Sequence, residues 1–317
     1  MTRILTLLCA ALAISCTKKK DIASGPGEYP YPIATTVGMI GDVTRELAGD
    51  KATVVNIIGE GLDPHVYQPT KEDIDTFQAS SLILYNGVHL EGKMGEVLES
   101  RTKAGTPVTA VAEALSGFDY IEDDPHLWMD VSAWSQVAAN IQASLADFDS
   151  ANKDYYNERL TNYQATLKDL HAYAQESLAS IPESQRVLVT AHDAFSYLGR
   201  AYGLDVRGIQ GISTESEAGL QEINALVSYL VENKIPAVFV ESSVSDKSVM
   251  ALIEGAAAQN HKVIIGGELF SDAMGETGTY EGTYLGMIDH NVTTITRALG
   301  GEAPEKGFQG KLHSINE

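Results

Sequence analysis

Residues 151–181 read ANKDYYNERLTNYQATLKDLHAYAQESLASI, and they decide the architecture. Tyr156, Leu160, Tyr163, Leu167, Leu170, Ala174 and Leu178 recur at intervals of three or four, the spacing of one helical face. No Gly or Pro interrupts the run before Pro182. The pattern predicts an amphipathic helix of about 28 residues, roughly 42 Å long at 1.5 Å per residue. A helix of that length at mid-chain is a stiff spacer. The competing use of such a stripe, a coiled-coil seam between chains, would need more clean heptads than the run supplies.

On either side the same rhythm appears twice. Upstream, Ile33–Ile40, Thr53–Ile58, Leu82–Tyr85 and Pro107–Val111 are short apolar runs bounded by Gly, Pro or Asp, and read as strands. Helical patterns near 41–48, 71–80, 93–103 and 132–148 follow them. Downstream, Val187–Thr190, Val206–Ile209, Ala237–Val240 and Val263–Ile265 read as strands, with helices near 194–202, 217–233, 246–259 and 282–299. The alternation predicts an α/β fold: two similar lobes with mainly parallel sheets, residues 32–150 and 183–317, joined by one long rigid helix at 151–182.

The chain of 317 residues opens with Arg3 and an apolar run, Ile4 to Ile14, that breaks at Ser15-Cys16. That is a secretory signal of residues 1–15, too short to span a bilayer. Ala13-Ile14-Ser15-Cys16 resembles a bacterial lipobox, which makes Cys16 the lipidation site and residues 16–31 a tether to the membrane. Cys9 leaves with the signal, so the folded part has no thiol, and disulfides and Cys-based metal sites are excluded. The net charge of −21 carries 43 acidic against 22 basic residues. An acidic surface repels phosphate, so nucleic acid is not a partner, whereas cations are compatible with it.

With no thiols, a metal site must use His and carboxylate. Three of the eight histidines share one setting. His65 lies in Gly61-Leu62-Asp63-Pro64-His65, a loop after the second strand. His126 lies in Asp124-Pro125-His126-Leu127-Trp128, a loop before a helix. His192 closes the strand that begins at Val187. Ligands gather at the carboxyl ends of strands in open α/β sheets, and the repeated Asp-Pro-His presents its imidazole rigidly because Pro fixes φ. For a carboxylate the residues alone leave two choices. Asp272, in Ser271-Asp272-Ala273-Met274-Gly275, is open between a ligand and a turn or cap. Glu241, after the strand Ala237–Val240, is open between a ligand and an outer acceptor for an imidazole N–H. His89, His171, His261, His290 and His313 read as surface, helix-end or tail residues.

Four passages carry a resemblance: Gly-Leu-Asp-Pro-His-Val-Tyr-Gln-Pro-Thr (61–70), Asp-Pro-His-Leu-Trp-Met-Asp (124–130), Thr-Ala-His-Asp-Ala-Phe-Ser-Tyr-Leu (190–198) and Ser-Asp-Ala-Met-Gly-Glu-Thr-Gly-Thr-Tyr-Glu-Gly-Thr-Tyr (271–284). Through them the chain resembles the zinc- and manganese-specific solute-binding lipoproteins of bacterial ABC importers, the cluster A-I receptors, TroA-like members above all. The resemblance implies metal ligands at His65, His126, His192 and Asp272, one Zn²⁺ or Mn²⁺ per chain as transported ligand, and an ABC transporter permease as partner. It also implies a monomer, lipid-anchored in the periplasm or on the outer face of the cytoplasmic membrane. Four protein ligands favour capture over catalysis, since a catalytic zinc keeps an open position, and no hydrolase motif occurs. The chain is therefore expected not to be an enzyme; the alternatives are a metal-containing surface adhesin or a secreted zinc hydrolase. Many zinc-dedicated relatives carry a His-rich loop near the second ligand. Here Gly117–Asp124 is short and has no His, which leaves manganese open beside zinc. Neutral imidazoles are needed for binding, so affinity is expected to fall below about pH 6.

Overall fold

The computed structural model describes residues 25–113 and 115–313; the leader and Cys16 lie outside the described residues. The first half runs β1 (Tyr31–Thr35), α1 (Gly38–Ala48), β2 (Ala52–Asn56), α2 (Lys71–Ala79), β3 (Leu82–Tyr85), α3 (Gly95–Lys103), β4 (Val108–Ala110) and α4 (Val131–Phe148). Its four strands are all parallel, in the order β2-β1-β3-β4. After α5 (Lys153–Ala179) the second half runs β5 (Val187–His192), α6 (Ser196–Tyr202), β6 (Asp205–Gln210), α7 (Leu220–Asn233), β7 (Ala237–Glu241), α8 (Lys247–Ala258), β8 (Ile264–Leu269) and α9 (Tyr284–Ala298). Here β5 pairs with β6 and β7 with β8, both parallel, and β5 lies beside β7. The two ladders stand side by side in the spatial order β6-β5-β7-β8, which parallels the order of the first lobe's single sheet. In both lobes the order reverses between the two central strands, and the carboxyl ends of strands at such a point are where open α/β sheets take their ligands.

The predicted strand Ile33–Ile40 stops at Thr35, and Met39 and Ile40 belong to α1. The apolar run satisfies either period at that point. The helix wins because Met39, Ile40, Val43 and Leu47 then share one buried face. Gly41, within α1, lets the helix sit close on the ends of β1 and β2: a Cβ there would stand 2.9 Å from Thr35 Oγ1 and 3.2 Å from Asn56 Oδ1. The strand expected to end at Ile265 runs on to Leu269 through Gly266 and Gly267, past a register shift opposite Val238 and Phe239. The glycines hid it from a propensity reading; the Phe239 ring lies where a side chain at Gly266 would project.

The long helix is present, with Tyr156, Tyr163, Leu167, Leu170, Ala174 and Leu178 buried. Its stripe is used within the chain, against α4 and α1 of the first half and α9 and α6 of the second. Asp149 anchors its start, accepting from Tyr156 Oη at 2.6 Å and Tyr29 Oη at 2.8 Å. One apolar core takes side chains from both halves, from Ile33, Met39 and Trp134 through Leu167 to Phe195, Tyr284 and Ile295. A smaller core, around Val189, Val227, Val238 and Leu252, belongs to the second lobe alone. The lobes are therefore tied by shared packing along α5 and α9 as well as by the covalent link. No helix among the described residues is long and apolar enough to cross a membrane.

Candidate metal centre

Four side chains meet between the lobes. His65 comes from the loop after β2, His126 from the segment between β4 and α4, His192 from the last residue of β5, and Asp272 from the loop after β8. One nitrogen or oxygen from each lies within 4.8 Å of all the others. His126 Nε2 stands 3.3 Å from His65 Nε2 and 3.2 Å from Asp272 Oδ1; His192 Nε2 stands 3.2 Å from Asp272 Oδ2. All four residues are buried.

Each is held from behind. Asp63 Oδ1 accepts from His65 N at 2.8 Å, and Asp124 Oδ1 accepts from His126 N at 2.9 Å. The aspartate two residues before each imidazole therefore fixes the turn, a role the sequence reading gave to the prolines between them. Asp124 Oδ1 also accepts from His126 Nδ1 at 2.7 Å. Glu241 does the same for His192: Oε1 accepts from its backbone N–H at 2.8 Å and Oε2 from Nδ1. The segment before Asp272 is clamped by Asn291, which donates to the Phe270 carbonyl at 2.7 Å and accepts from its N–H at 2.9 Å. Across the lobes, Trp128 Nε1 donates to the Ser271 carbonyl at 2.8 Å. Asp124, Trp128 and Asn291 escaped the sequence reading; the repeated Asp at position −2 was the one local signal available.

Burial alone would push the His126 imidazole down, but Asp124 and Asp272 outweigh it and raise the group to about 9. His192 is likewise driven well above its usual range: burial opposes, while Asp272 and Glu241 prevail. For Asp272, burial works against the charge, and the two imidazoles hold the carboxyl well below the usual carboxylate range. His65 is the exception, because burial dominates and lowers it despite Asp272. Among the described residues, both Asp272 oxygens and His192 Nε2 are buried with no polar partner outside the cluster itself. Such orphaned polar atoms are costly, and here they face one another in a ring of lone-pair donors. Asp272 also forms part of the wall of a cavity of about 570 Å³ between the lobes, lined by Gly38, Asp42, Asn56 and Glu60.

The remaining histidines stay outside the cluster. His171 Nδ1 meets Tyr202 Oη at 3.0 Å, and His261 Nε2 meets the Ile235 carbonyl at 2.8 Å. His290 lies within α9 rather than at a helix end, with Nε2 on the Glu268 carbonyl at 2.9 Å. His313 sits beside Glu281, and His89 is exposed.

Two parallel-sheet lobes on one rigid helix, with a buried donor-rich centre between them, define the class of two-lobed solute receptors. Within that class the chain belongs to the ZnuA family, zinc-uptake complex component A, periplasmic, whose model matches residues 33–298. It is 43% identical over 272 residues to the zinc-binding protein TroA of Treponema pallidum, covering 84% of this chain and 88% of that one. It is 41% identical over 285 residues to the manganese-binding lipoprotein MntA of Bacillus subtilis, covering 88% and 93%. The solved structure of the periplasmic zinc-binding protein TroA from Treponema pallidum superimposes with a TM-score of 0.81, over 85% of this chain and 99% of the other.

Proposed function

We propose that this protein captures one divalent transition metal, zinc or manganese, outside the cytoplasm and delivers it to an ABC importer, with His65, His126, His192 and Asp272 as ligands. The observation that carries the reading is the convergence of three imidazoles and a carboxylate whose buried lone pairs have no other partner. Asp272 turns Oδ1 toward His126 and Oδ2 toward His192, so the centre offers three nitrogens and two oxygens. Zinc is the stronger binder at any such site, by intrinsic affinity. A fifth donor relaxes the tetrahedral closure that zinc prefers and makes room for manganese. Turnover is not supported. Glu241, the carboxylate a hydrolase would need as base, has both oxygens engaged by His192.

The rest of the proposal follows from export. Cys16 carries the lipid, and the monomer docks on a permease; the tether expected over 16–31 is shorter than that, because Tyr29 is already held by Asp149 and Tyr31 is buried in β1. The lobes at 32–150 and 183–317 move little about the 151–182 linker, because α5 and α9 share one core with both. Release then proceeds by rearrangement of the loop around Asp272.

The test is elemental analysis of residues 24–317, purified gently with a tag that does not bind metal, followed by Mn²⁺ against Zn²⁺ competition. One metal per chain is expected, lost in His126→Ala with the circular dichroism unchanged. A protein that neither retains nor takes up metal would overturn the reading.

A further inference from the structure

In each lobe the two central strands, β1 and β3 or β5 and β7, end beside a buried glutamate. In the second lobe it is Glu241, which grips His192 directly. In the first lobe the corresponding place, where β1 and β3 end, is filled by Glu91, which among the described residues makes no hydrogen bond to an imidazole. Its Oε1 accepts from Thr36 Oγ1 at 2.6 Å and from Asn86 N at 2.7 Å, and its Oε2 accepts from Gly87 N at 3.1 Å. The next N–H, of Val88, donates to Glu113 Oε1 at 2.7 Å. Three successive backbone N–H groups are thus turned onto two carboxylates, an anion-binding concavity filled from within the chain. Gly87, Val88 and His89 hold positive φ there, at 85°, 52° and 63°. For a β-branched residue such as Val88 that region is rarely occupied.

What this turn fixes is Asn86. Its Nδ2 donates to the Pro125 carbonyl at 3.0 Å and to the Gly87 carbonyl at 3.2 Å, while its own carbonyl accepts from Ala112 N at 3.1 Å. Pro125 is the residue immediately before His126. The segment bearing His126 is therefore held at two points: by Asp124 from within, and by Asn86 from the sheet. We infer that Glu91 is a positioning residue for metal capture, which through Asn86 and the Pro125 carbonyl sets where His126 Nε2 points. The inference rests on the reading that His126 holds the metal.

In Glu91→Gln one acceptor oxygen becomes an NH₂ group facing backbone N–H donors. Asn86→Ala removes the next link. The test uses Zn²⁺, measured by chelator competition, and Co²⁺, whose visible absorption reports ligand geometry. Each variant is expected to weaken Zn²⁺ binding by about tenfold or more, as outer partners of metal ligands do, and to alter the Co²⁺ bands. The double variant should be no worse than the weaker single, since both act through one chain of contacts. If Glu91→Gln does not fold, Thr36→Val removes a single bond to Glu91 and should shift both readouts the same way by less. Lowered thermal stability with Zn²⁺ affinity within about twofold of the parent and unchanged Co²⁺ bands would overturn the inference, as would additive losses in the double variant. A parent protein that takes up neither metal would overturn the metal reading itself, and this inference with it.

Discussion

On the proposed reading, metal capture at this centre expels protons from His126 and His192, the two imidazoles that the neighbouring carboxylates hold above their ordinary range. In the metal-free protein His126 titrates at about 9, because Asp124 and Asp272 overcome the effect of burial, and His192 is raised as well. A metal needs both imidazoles neutral. Well below pH 9 the His126 imidazole is mostly protonated, and displacing its proton costs the metal about 1.36 kcal/mol for each pH unit below that point. The sign is fixed: a raised pKa favours the protonated site below it, so apparent affinity falls as pH drops through 9, about tenfold per unit for each proton displaced. The onset lies well above the pH 6 expected of ordinary imidazoles. Calorimetric titration of Zn²⁺ at pH 7.5 in buffers of different ionisation enthalpy measures the proton count as a slope; about two protons are expected. Asp124→Asn keeps an acceptor for His126 Nδ1 but removes one charge that holds its proton. The slope should fall toward one and the affinity–pH curve should flatten between 7 and 9. Above pH 9, where proton competition has gone, the variant should bind about tenfold more weakly. A parent slope near zero, or a slope unchanged by Asp124→Asn, would refute the electrostatic account.

The same ion pairs stabilise the metal-free fold. That contribution is complete below about pH 6.5 and lost as pH rises through 9, so metal-free Tm should fall across this window while metal-saturated Tm does not. Trp128→Phe removes the donor to the Ser271 carbonyl and leaves a buried acceptor unpaired, at about 1–3 kcal/mol. Stopped-flow release into a chelator should be faster than in the parent, because Ser271 adjoins Asp272. Gly286→Ala would place a methyl on the Tyr280 carbonyl oxygen at the start of α9. A loss of about 2 kcal/mol, read as a Tm lower by about 5 °C, is expected; an unchanged Tm would show that the 280–286 turn has room to give.

Much of this molecule is written in local spacing. The stripe from Tyr156 to Leu178 is a helical face whatever surrounds it, and the alternation of short apolar runs with helical patterns sets two parallel α/β lobes. Donor types were equally legible, because a folded part without thiols leaves His and carboxylate. The sequence misread the elements where one pattern suits two periods, as at Met39 and Ile40, and where glycine lowers the strand signal, as at Gly266 and Gly267. Nor could spacing alone say which carboxylate faces the imidazoles; that choice of Asp272 came from the resemblance. Glu241 and Asp272 both follow strands of the second lobe. Only the packed fold turns Glu241 onto the backbone and Nδ1 of His192, 49 residues away, and leaves both Asp272 oxygens aimed at the centre. Hydrogen bonds over such separations depend on which strands become neighbours. That is settled by burial of the shared core, and no local run of residues encodes it.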